Sequence, residues 1–154
     1  KVKYQFREVL FSSQAKKVNL HSQVSDRIIL FTDSCILKLN PKYKVLKQLS
    51  YREATGIALT SGVDQLLVLK FPGNDLVICF HNPGNEDRVT EALGVAFQRI
   101  RKAKRDTPDV KVENELVCVL GSKEKTIFVR PAANQKIPNF KKNGSRDLLL
   151  LAVQ

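Results

Sequence analysis

The sequence predicts a mostly β fold in which seven antiparallel strands are followed by one helix and then by further strands. Two observations lead to this prediction. Between residues 18 and 81, short apolar runs alternate with turn-forming residues, which is typical of antiparallel strands. Residues 86–104 then show one amphipathic helical pattern, and short apolar runs return after Thr107-Pro108.

Each of the first seven strands is expected where an apolar run lies between two turns. Asn40-Pro41-Lys42 supplies the fixed φ of proline, and Pro72-Gly73-Asn74-Asp75 supplies the positive φ that tight hairpins need. The expected strands are a first one that includes Val18–Leu20, followed by Arg27–Thr32, Cys35–Asn40, Val45–Ser50, Thr55–Thr60, Leu66–Phe71 and Leu76–His81.

The one convincing helix is predicted from about Glu86 to Lys104. Apolar residues recur there at spacings of three and four and form one stripe, as in an amphipathic helix. The stripe includes Val89, Leu93, Ala96 and Ile100. Asn85 is the candidate N-cap, and acidic residues in the first turn with basic residues in the last suit the helix dipole.

After the helix, strands are expected at Val110–Val112, Leu116–Leu120, Lys125–Arg130 and Leu148–Val153, with a polar excursion from Pro131 to Arg146. Arg27–Phe31 carries apolar residues on both faces, whereas a half-solvated sheet would alternate. We therefore expect the last segment to cover the second face of the sheet. The predicted organisation is residues 1–17 as the end of a linker that could form a short helix, 18–105 as the core, and 106–154 as a strand-rich extension packed on the same domain.

Composition narrows the function classes. The 154 residues carry a net charge of +11, with +7 in residues 1–50, −2 in residues 51–100 and +6 in residues 101–154. A polyanionic partner is therefore expected to meet the two ends of the sequence.

The longest apolar run has six residues, whereas a membrane-spanning helix needs about 20. Because Met and a signal-peptide pattern are absent, we expect a piece cut from a longer chain.

The sequence contains no catalytic or metal-binding pattern. His21 and His81 are its two histidines, and no carboxylate follows either at a triad-like spacing. Gly121-Ser122-Lys123 lacks the first glycine of a phosphate-binding loop and is interpreted as a hairpin turn. Three widely spaced cysteines in apolar runs favour reduced core thiols of a cytosolic protein over disulfides or a zinc site. They are Cys35, Cys79 and Cys118. We therefore expect no enzyme activity, no metal and no cofactor.

Basic residues near the first strands are the strongest functional signal. They are Lys16, Lys17 and His21 on or beside the first strand, Arg27 at the start of the second, Lys38 on the third, and Lys42 in the connection that follows. If these strands form a meander, Lys16, Arg27 and Lys38 come together at one open end, where converging cations would bind a phosphorylated headgroup. The alternative is that each lysine is a solvated edge residue that discourages strand aggregation.

Five segments in order, followed by the helix, form a recognisable series. They are Asp26-Arg27-Ile28-Ile29-Leu30-Phe31-Thr32-Asp33, Leu37-Lys38-Leu39, Thr55-Gly56-Ile57-Ala58-Leu59, Asp64-Gln65-Leu66-Leu67-Val68-Leu69 and Asn74-Asp75-Leu76-Val77-Ile78-Cys79. This series, within roughly residues 18–153, resembles the tail homology 1 (TH1) domain of class I myosins. The order of strands and helix is also that of a pleckstrin-homology fold, in which two sheets pack and the helix closes one end.

The resemblance implies a non-catalytic motor tail that binds anionic phospholipids, including phosphoinositides and phosphatidylserine, through a pleckstrin-homology-like pocket. In that family a first-strand lysine and a second-strand arginine, eleven residues apart, contact the headgroup. Lys16 and Arg27 have this separation, so the two roles are carried onto them. The supporting basic patch is assigned to Lys17, His21, Lys38 and Lys42.

The resemblance also implies the setting of the domain. The expected location is the cytoplasm, at the cytosolic face of membranes and with the actin cytoskeleton. The ATPase motor, with its actin contacts, and the calmodulin-binding neck of the parent myosin would lie outside this sequence.

A protein-interaction module is the alternative function. The general pleckstrin-homology signature has a second basic residue two positions before the arginine, and Ser25 occupies that position here. In this alternative, a sheet edge or the excursion Pro131–Arg146 docks a protein cargo or folds back on the motor. Nucleic acid is not expected as a partner, because the basic residues lack interleaved aromatic residues for stacking and no reader motif occurs.

Overall fold

The computed structural model describes residues 5–62, 64–82, 84, 86–132, 137–144 and 147–153. Within these residues the chain forms strands β1 (Val9–Val18), β2 (Val24–Thr32), β3 (Ile36–Leu39), β4 (Val45–Leu49), β5 (Gly56–Leu59), β6 (Leu66–Lys70), β7 (Leu76–Phe80), β8 (Asp109–Val112), β9 (Leu116–Leu120), β10 (Lys123–Ala132), β11 (Asn139–Asn143) and β12 (Asp147–Val153). A 3₁₀ turn (Tyr51–Glu53) precedes β5, and helix α1 (Val89–Lys104) follows β7.

The first seven strands form an antiparallel sheet with β1 at its centre. Pairing runs in the order β4-β3-β2-β1-β7-β6-β5, and β8 joins β5 in parallel. β1 is central because it pairs with β2 along its whole length and with β7 through Ala15–Lys17. The predicted mostly β fold, with seven antiparallel strands followed by one helix and extra strands, is confirmed.

The prediction that residues 1–17 are the end of a linker that could form a short helix is wrong for Val9–Val18, which is strand β1. Phe11 and Ala15 are buried in the core, while Gln14 beside them is exposed. The segment has few apolar residues, so its two-residue period is weak in the sequence. Pairing with strands on both sides decides its conformation, because strand propensity depends strongly on the neighbours.

Helix α1 packs on the inner face of this sheet. Its buried residues join a core built from β1–β7 and the 3₁₀ turn. They are Ala92, Ala96 and Ile100. Among the described residues, no helix is long and apolar enough to cross a membrane.

The N-terminus of α1 is capped by a side chain from the connection before β6. The helix begins at Val89, three residues later than predicted, and the predicted cap Asn85 lies outside the described residues. Among the described residues, Gln65 caps the helix, because its Oε1 accepts hydrogen bonds from the backbone N–H groups of Arg88 and Val89 at 2.6 and 2.9 Å. Backbone donors that a helix start leaves unpaired are thereby satisfied.

The strands after β8 form a second sheet that covers the outer face of β5–β7, whereas the outer face of β2–β4 forms a separate apolar cluster. They pair in the order β11-β12-β10-β9. Their apolar side chains share a second core with outward-facing residues of β6 and β7, among them Leu66, Val68 and Val77. The predicted excursion from Pro131 to Arg146 contains β11, a strand that the sequence did not indicate because Phe140 is its one apolar residue.

A buried carboxylate joins the two layers. Asp75 is 3% exposed and lies between β6 and β7. Its Oδ2 accepts hydrogen bonds from the backbone N–H of Val119 at 2.8 Å and from Lys70 Nζ at 3.1 Å. Its Oδ1 accepts one from the backbone N–H of Phe71 at 3.1 Å. Because Lys70 Nζ also donates to the carbonyl of Val117, β9 is held to the β6–β7 hairpin at two points.

Replacing Asp75 with Ala should lower the free energy of unfolding by about 3 kcal/mol, because the buried N–H groups and the Lys70 ammonium lose their acceptor. For a domain of this size the melting temperature should fall by roughly 6–12 °C. Thermal melts followed by circular dichroism measure this fall. The control Asp109→Ala removes an exposed carboxylate from β8 and should shift the melting temperature by less than about 2 °C. Equal shifts in the two variants would contradict the role of Asp75.

Candidate anion-binding site

Side-chain alternation on four neighbouring strands brings cations together on the inner face of the sheet. Arg27 lies opposite the core residue Ala15 across the β1–β2 pair, so both side chains are on the inner face. Lys17, two residues further along β1, shares this face. Lys38 on β3 lies opposite the inner-face residue Ile29 of β2, so its side chain is on the inner face too. Lys47 on β4 lies directly opposite Lys38 and shares this face. We call Lys17, Arg27, Lys38 and Lys47 the cation cluster.

The inner face changes from apolar to basic along its length. Towards α1 it is lined by buried residues such as Phe11, Phe31 and Ile36. At the other end it carries the cation cluster. The β1–β2 and β3–β4 turns both lie at this second end, because consecutive strands run in opposite directions. The cluster is therefore set at the solvent edge of a rigid apolar core.

Among the described residues, no carboxylate forms an ion pair with the cation cluster. Ion pairs elsewhere among the described residues join Lys16 to Asp26, Lys70 to Asp75 and Arg88 to Glu91. The Nη1 of Arg27 donates to the carbonyl of Asp26 at 2.7 Å, whereas its Nε is buried and has no hydrogen-bond partner in the described part of the chain. A buried donor without a partner, beside cations without counter-charges, is suited to accept an anion.

Burial and repulsion within the cluster lower lysine pKa values. Burial, together with the charges of Lys17, Lys47 and Arg27, lowers the pKa of Lys38 from 10.5 to about 8. Burial and the charge of Arg27 also lower the pKa of Lys17, whose amine is within hydrogen-bonding reach of Lys38. A bound anion would oppose both shifts, because a nearby negative charge favours the protonated lysine.

Lys16 does not join the cation cluster. It lies on the opposite face of β1, directly across from Asp26, with which it forms an ion pair. Lys16 and Arg27 both line a surface cavity of about 320 Å³ whose wall also includes Tyr43 and His81. Burial and the charge of Lys16 lower the pKa of His81. The two residues to which the family resemblance assigned the headgroup contacts thus have side chains on different faces of the sheet.

The predicted supporting residues divide into two groups. Lys17 and Lys38 belong to the cation cluster, whereas His21 and Lys42 are exposed in the β1–β2 and β3–β4 turns. Lys47 was not predicted as a site residue. Its two-residue offset from the buried end of β4 is the signal that would have placed it on the inner face.

The cysteines are buried core residues. All three are free thiols, and burial raises the pKa of Cys118 to about 12. In the part of the chain that the structure describes, no group of three or more His, Cys, Asp or Glu side chains could hold a metal ion.

Comparison with known proteins gives one family. A family model described as "Unconventional myosin tail, actin- and lipid-binding" matches residues 1–148. Unconventional myosin-Id of Homo sapiens is 37% identical over 154 residues, which cover 97% of this chain and 15% of that protein. The Danio rerio myosin-Id is 30% identical over 152 residues (96% and 15%), and unconventional myosin-Ig of Homo sapiens is 36% identical over 141 residues (88% and 14%). The chain spans about 15% of the length of the first two relatives.

Two solved structures align with this chain at low sequence identity. The N-terminal PH domain of human ARAP2 aligns with a TM-score of 0.48 at 10% identity, covering 59% of this chain and 78% of that one. The hSac2 domain of the human phosphoinositide phosphatase Sac2 aligns with a TM-score of 0.48 at 11% identity, covering 69% of this chain and 78% of that one.

Replacing Lys38 with Met should raise the free energy of unfolding at pH 7 by about 1 kcal/mol, because it removes a half-buried charge and its repulsion with neighbouring cations. The pKa of Lys38 is lower in the folded than in the unfolded chain, so between about pH 8 and 10.5 the unfolded chain binds more protons. Wild-type stability therefore gains with pH in this window, and the advantage of Lys38→Met should shrink from pH 7 to about pH 9.5. Urea unfolding at several pH values measures the advantage.

The control for this experiment is Lys142→Met, which removes an exposed lysine from β11. It should show no pH-dependent gain in stability. A Lys38→Met variant that is no more stable than wild type at pH 7, or whose advantage grows with pH, would show that the charge of Lys38 does not destabilise the folded chain.

Proposed function

The chain belongs to the unconventional myosin tail family, and we propose that its cation cluster binds the phosphorylated headgroup of an anionic membrane lipid. The family is described as an unconventional myosin tail that binds actin and lipid. We infer that phosphoinositides are the preferred lipids and that this contact attaches an actin-based motor to membranes.

This proposal rests on the convergence of four cations, with which no described carboxylate forms an ion pair. Burial removes water from Arg27 Nε, and no acceptor among the described residues replaces it. An arginine fork binds a phosphate through two parallel hydrogen bonds, while lysine amines turn freely to meet the remaining oxygens. Arg27, Lys17 and Lys38 together supply that combination on one face.

The sizes of two energetic contributions favour a headgroup whose phosphates contact the cluster directly over a surface that is only charged. A charge-assisted hydrogen bond contributes about 1.5–3 kcal/mol, whereas a basic side chain near an anionic leaflet contributes about 1 kcal/mol whatever the lipid. Phosphatidylserine would engage the cluster chiefly through the second effect. Phosphoinositides, whose phosphates project from the ring, would engage it through both effects.

The activity of the whole protein is part of the same proposal, since this chain spans only about 15% of relatives such as human myosin-Id. Motor activity, with its actin contacts, and calmodulin binding are assigned to other parts of the parent chain. The proposed location is the cytosolic face of membranes, together with the actin cytoskeleton.

Binding of a protein through the sheet edge is the second candidate function. The family description names actin beside lipid, and β4 is an edge strand on which Leu46 is 43% exposed. An unpaired edge can add a strand from a partner. Co-sedimentation with actin filaments, compared between wild type and Lys17→Ala with Arg27→Ala, tests for it. Undiminished sedimentation of the double variant would assign the filament contact to a surface other than the cluster.

Arg27→Ala and Lys17→Ala should each weaken binding to phosphoinositide-containing vesicles about tenfold or more, because each removes a charge-assisted hydrogen bond. Lys16→Ala should weaken it less, since Lys16 is already paired with Asp26. The measurement is the ratio of affinity for phosphoinositide to affinity for phosphatidylserine at matched surface charge. A larger loss with Lys16→Ala than with Lys17→Ala would favour Lys16, the residue that the family resemblance implied.

The charge-matched control is Lys141→Ala with Lys142→Ala, which removes two exposed cations from β11. This variant should lower affinity for both lipids alike and leave the ratio unchanged. If Lys17→Ala with Arg27→Ala changes the ratio no more than the control does, the cluster is not a headgroup site and the domain is only a basic surface.

A further inference from the structure

The turn between β3 and β4 is tightly ordered by its own hydrogen bonds. Oδ1 of Asn40 accepts from the backbone N–H groups of Lys42 and Lys44 at 2.9 and 3.0 Å. The backbone N–H of Tyr43 donates to the carbonyl of Asn40 at 2.9 Å, and the N–H of Asn40 donates to the carbonyl of Lys44 at the same distance. We call residues 40–44 the β3–β4 tip.

The β3–β4 tip presents an aromatic side chain to solvent. Tyr43 is 75% exposed, the highest value among the exposed large apolar side chains of the described residues. Its φ is 65°, in the left-handed region, which glycine adopts readily and bulky residues avoid. An exposed ring at a position that suits glycine adds nothing to the core, so folding alone does not account for it.

The surroundings of Tyr43 are basic. Lys42 and Lys44 flank it in the sequence and are exposed. Lys38, a member of the cation cluster, precedes the tip by two residues. Tyr43 and Arg27 also line the same surface cavity. The tip therefore extends the positive end of the sheet and adds an aromatic ring to it.

We propose that Tyr43 enters the interfacial layer of an anionic membrane while Lys42 and Lys44 contact lipid phosphates on either side. This inference rests on the proposed function, because it assumes that the cation cluster faces a membrane. Tyrosine is suited to this layer, since its ring is apolar and its hydroxyl remains hydrated. The cation cluster selects the headgroup, and the tip supplies apolar contact and fixes the orientation of the domain.

Charge complementarity favours a lipid surface over a protein as the occupant. The tip and the cluster together present at least six cations, and the ion pairs among the described residues include none of them. These cations are Lys17, Arg27, Lys38, Lys42, Lys44 and Lys47. A surface of uniform negative charge can meet all of them at once, and a ring placed among them reaches past the phosphates toward the glycerol layer.

A single tryptophan tests the insertion directly, since the chain contains none. In Tyr43→Trp the fluorescence should shift to shorter wavelength on adding phosphoinositide-containing vesicles, and brominated lipids in the same vesicles should quench it. The control is Val112→Trp, which places the probe at a 56% exposed position on β8, at the opposite edge of the first sheet. Its emission should remain unshifted and unquenched on the same vesicles.

Affinity measurements separate this inference from the proposed function. Tyr43→Ser should weaken vesicle binding about three- to tenfold through loss of buried apolar area, yet leave binding of soluble inositol trisphosphate unchanged. Arg27→Ala should weaken binding to both. Because Tyr43 is exposed, its substitution should leave the melting temperature within about 2 °C of wild type.

Three results would be decisive. If the Tyr43→Trp variant pellets with vesicles but its fluorescence is neither shifted nor quenched, the insertion is overturned while the headgroup site stands. If Arg27→Ala changes neither vesicle nor inositol trisphosphate binding, the proposed function fails instead. If the fluorescence of Tyr43→Trp is shifted by a protein ligand such as actin filaments but not by vesicles, the tip is a protein contact and the inference is wrong.

Discussion

The register of β1 against β2 underlies both the fold and the candidate site. Ala15 lies opposite Arg27, and this pairing decides which side chains of the two strands face the core. A shift by one residue would turn one strand over. Phe11 would then leave the core, Lys17 would turn outward and Lys16 would turn inward. Burial of Phe11 in the core therefore favours the register that places Lys17 and Arg27 on the same face.

The two ends of the inner face have opposite physical characters. Burial of Ala92, Ala96 and Ile100 against the sheet closes one end with apolar contacts that stabilise the fold. The other end carries like charges, and burial together with their repulsion lowers the pKa of Lys38. Repulsion of this kind opposes folding, so the apolar core must offset it. Strongly perturbed charges gathered in one place are more typical of a functional site than of a solubilising surface.

The second sheet makes this arrangement stable by covering apolar residues of β6 and β7. Without it, Leu66 and Val68 would face water. Asp75 adds a directional contact, because its carboxylate accepts hydrogen bonds from both layers. With α1 on one face and the second sheet on the other, the first sheet is a supported framework. The cation cluster and the β3–β4 tip extend from this framework.

Local apolar periodicity was enough to predict strands β2–β7 and helix α1. The resemblance to class I myosin tails could also be recognised from the order of these segments. Pairing of β1 with β2 and β7 was needed to establish that β1 begins at Val9 and that Lys17, not Lys16, shares a face of the sheet with Arg27. Alternation along a strand shows that neighbouring lysines point to opposite faces. Which face is inside depends on pairing with β2 and β7, and most of these contacts join residues that are far apart in the chain.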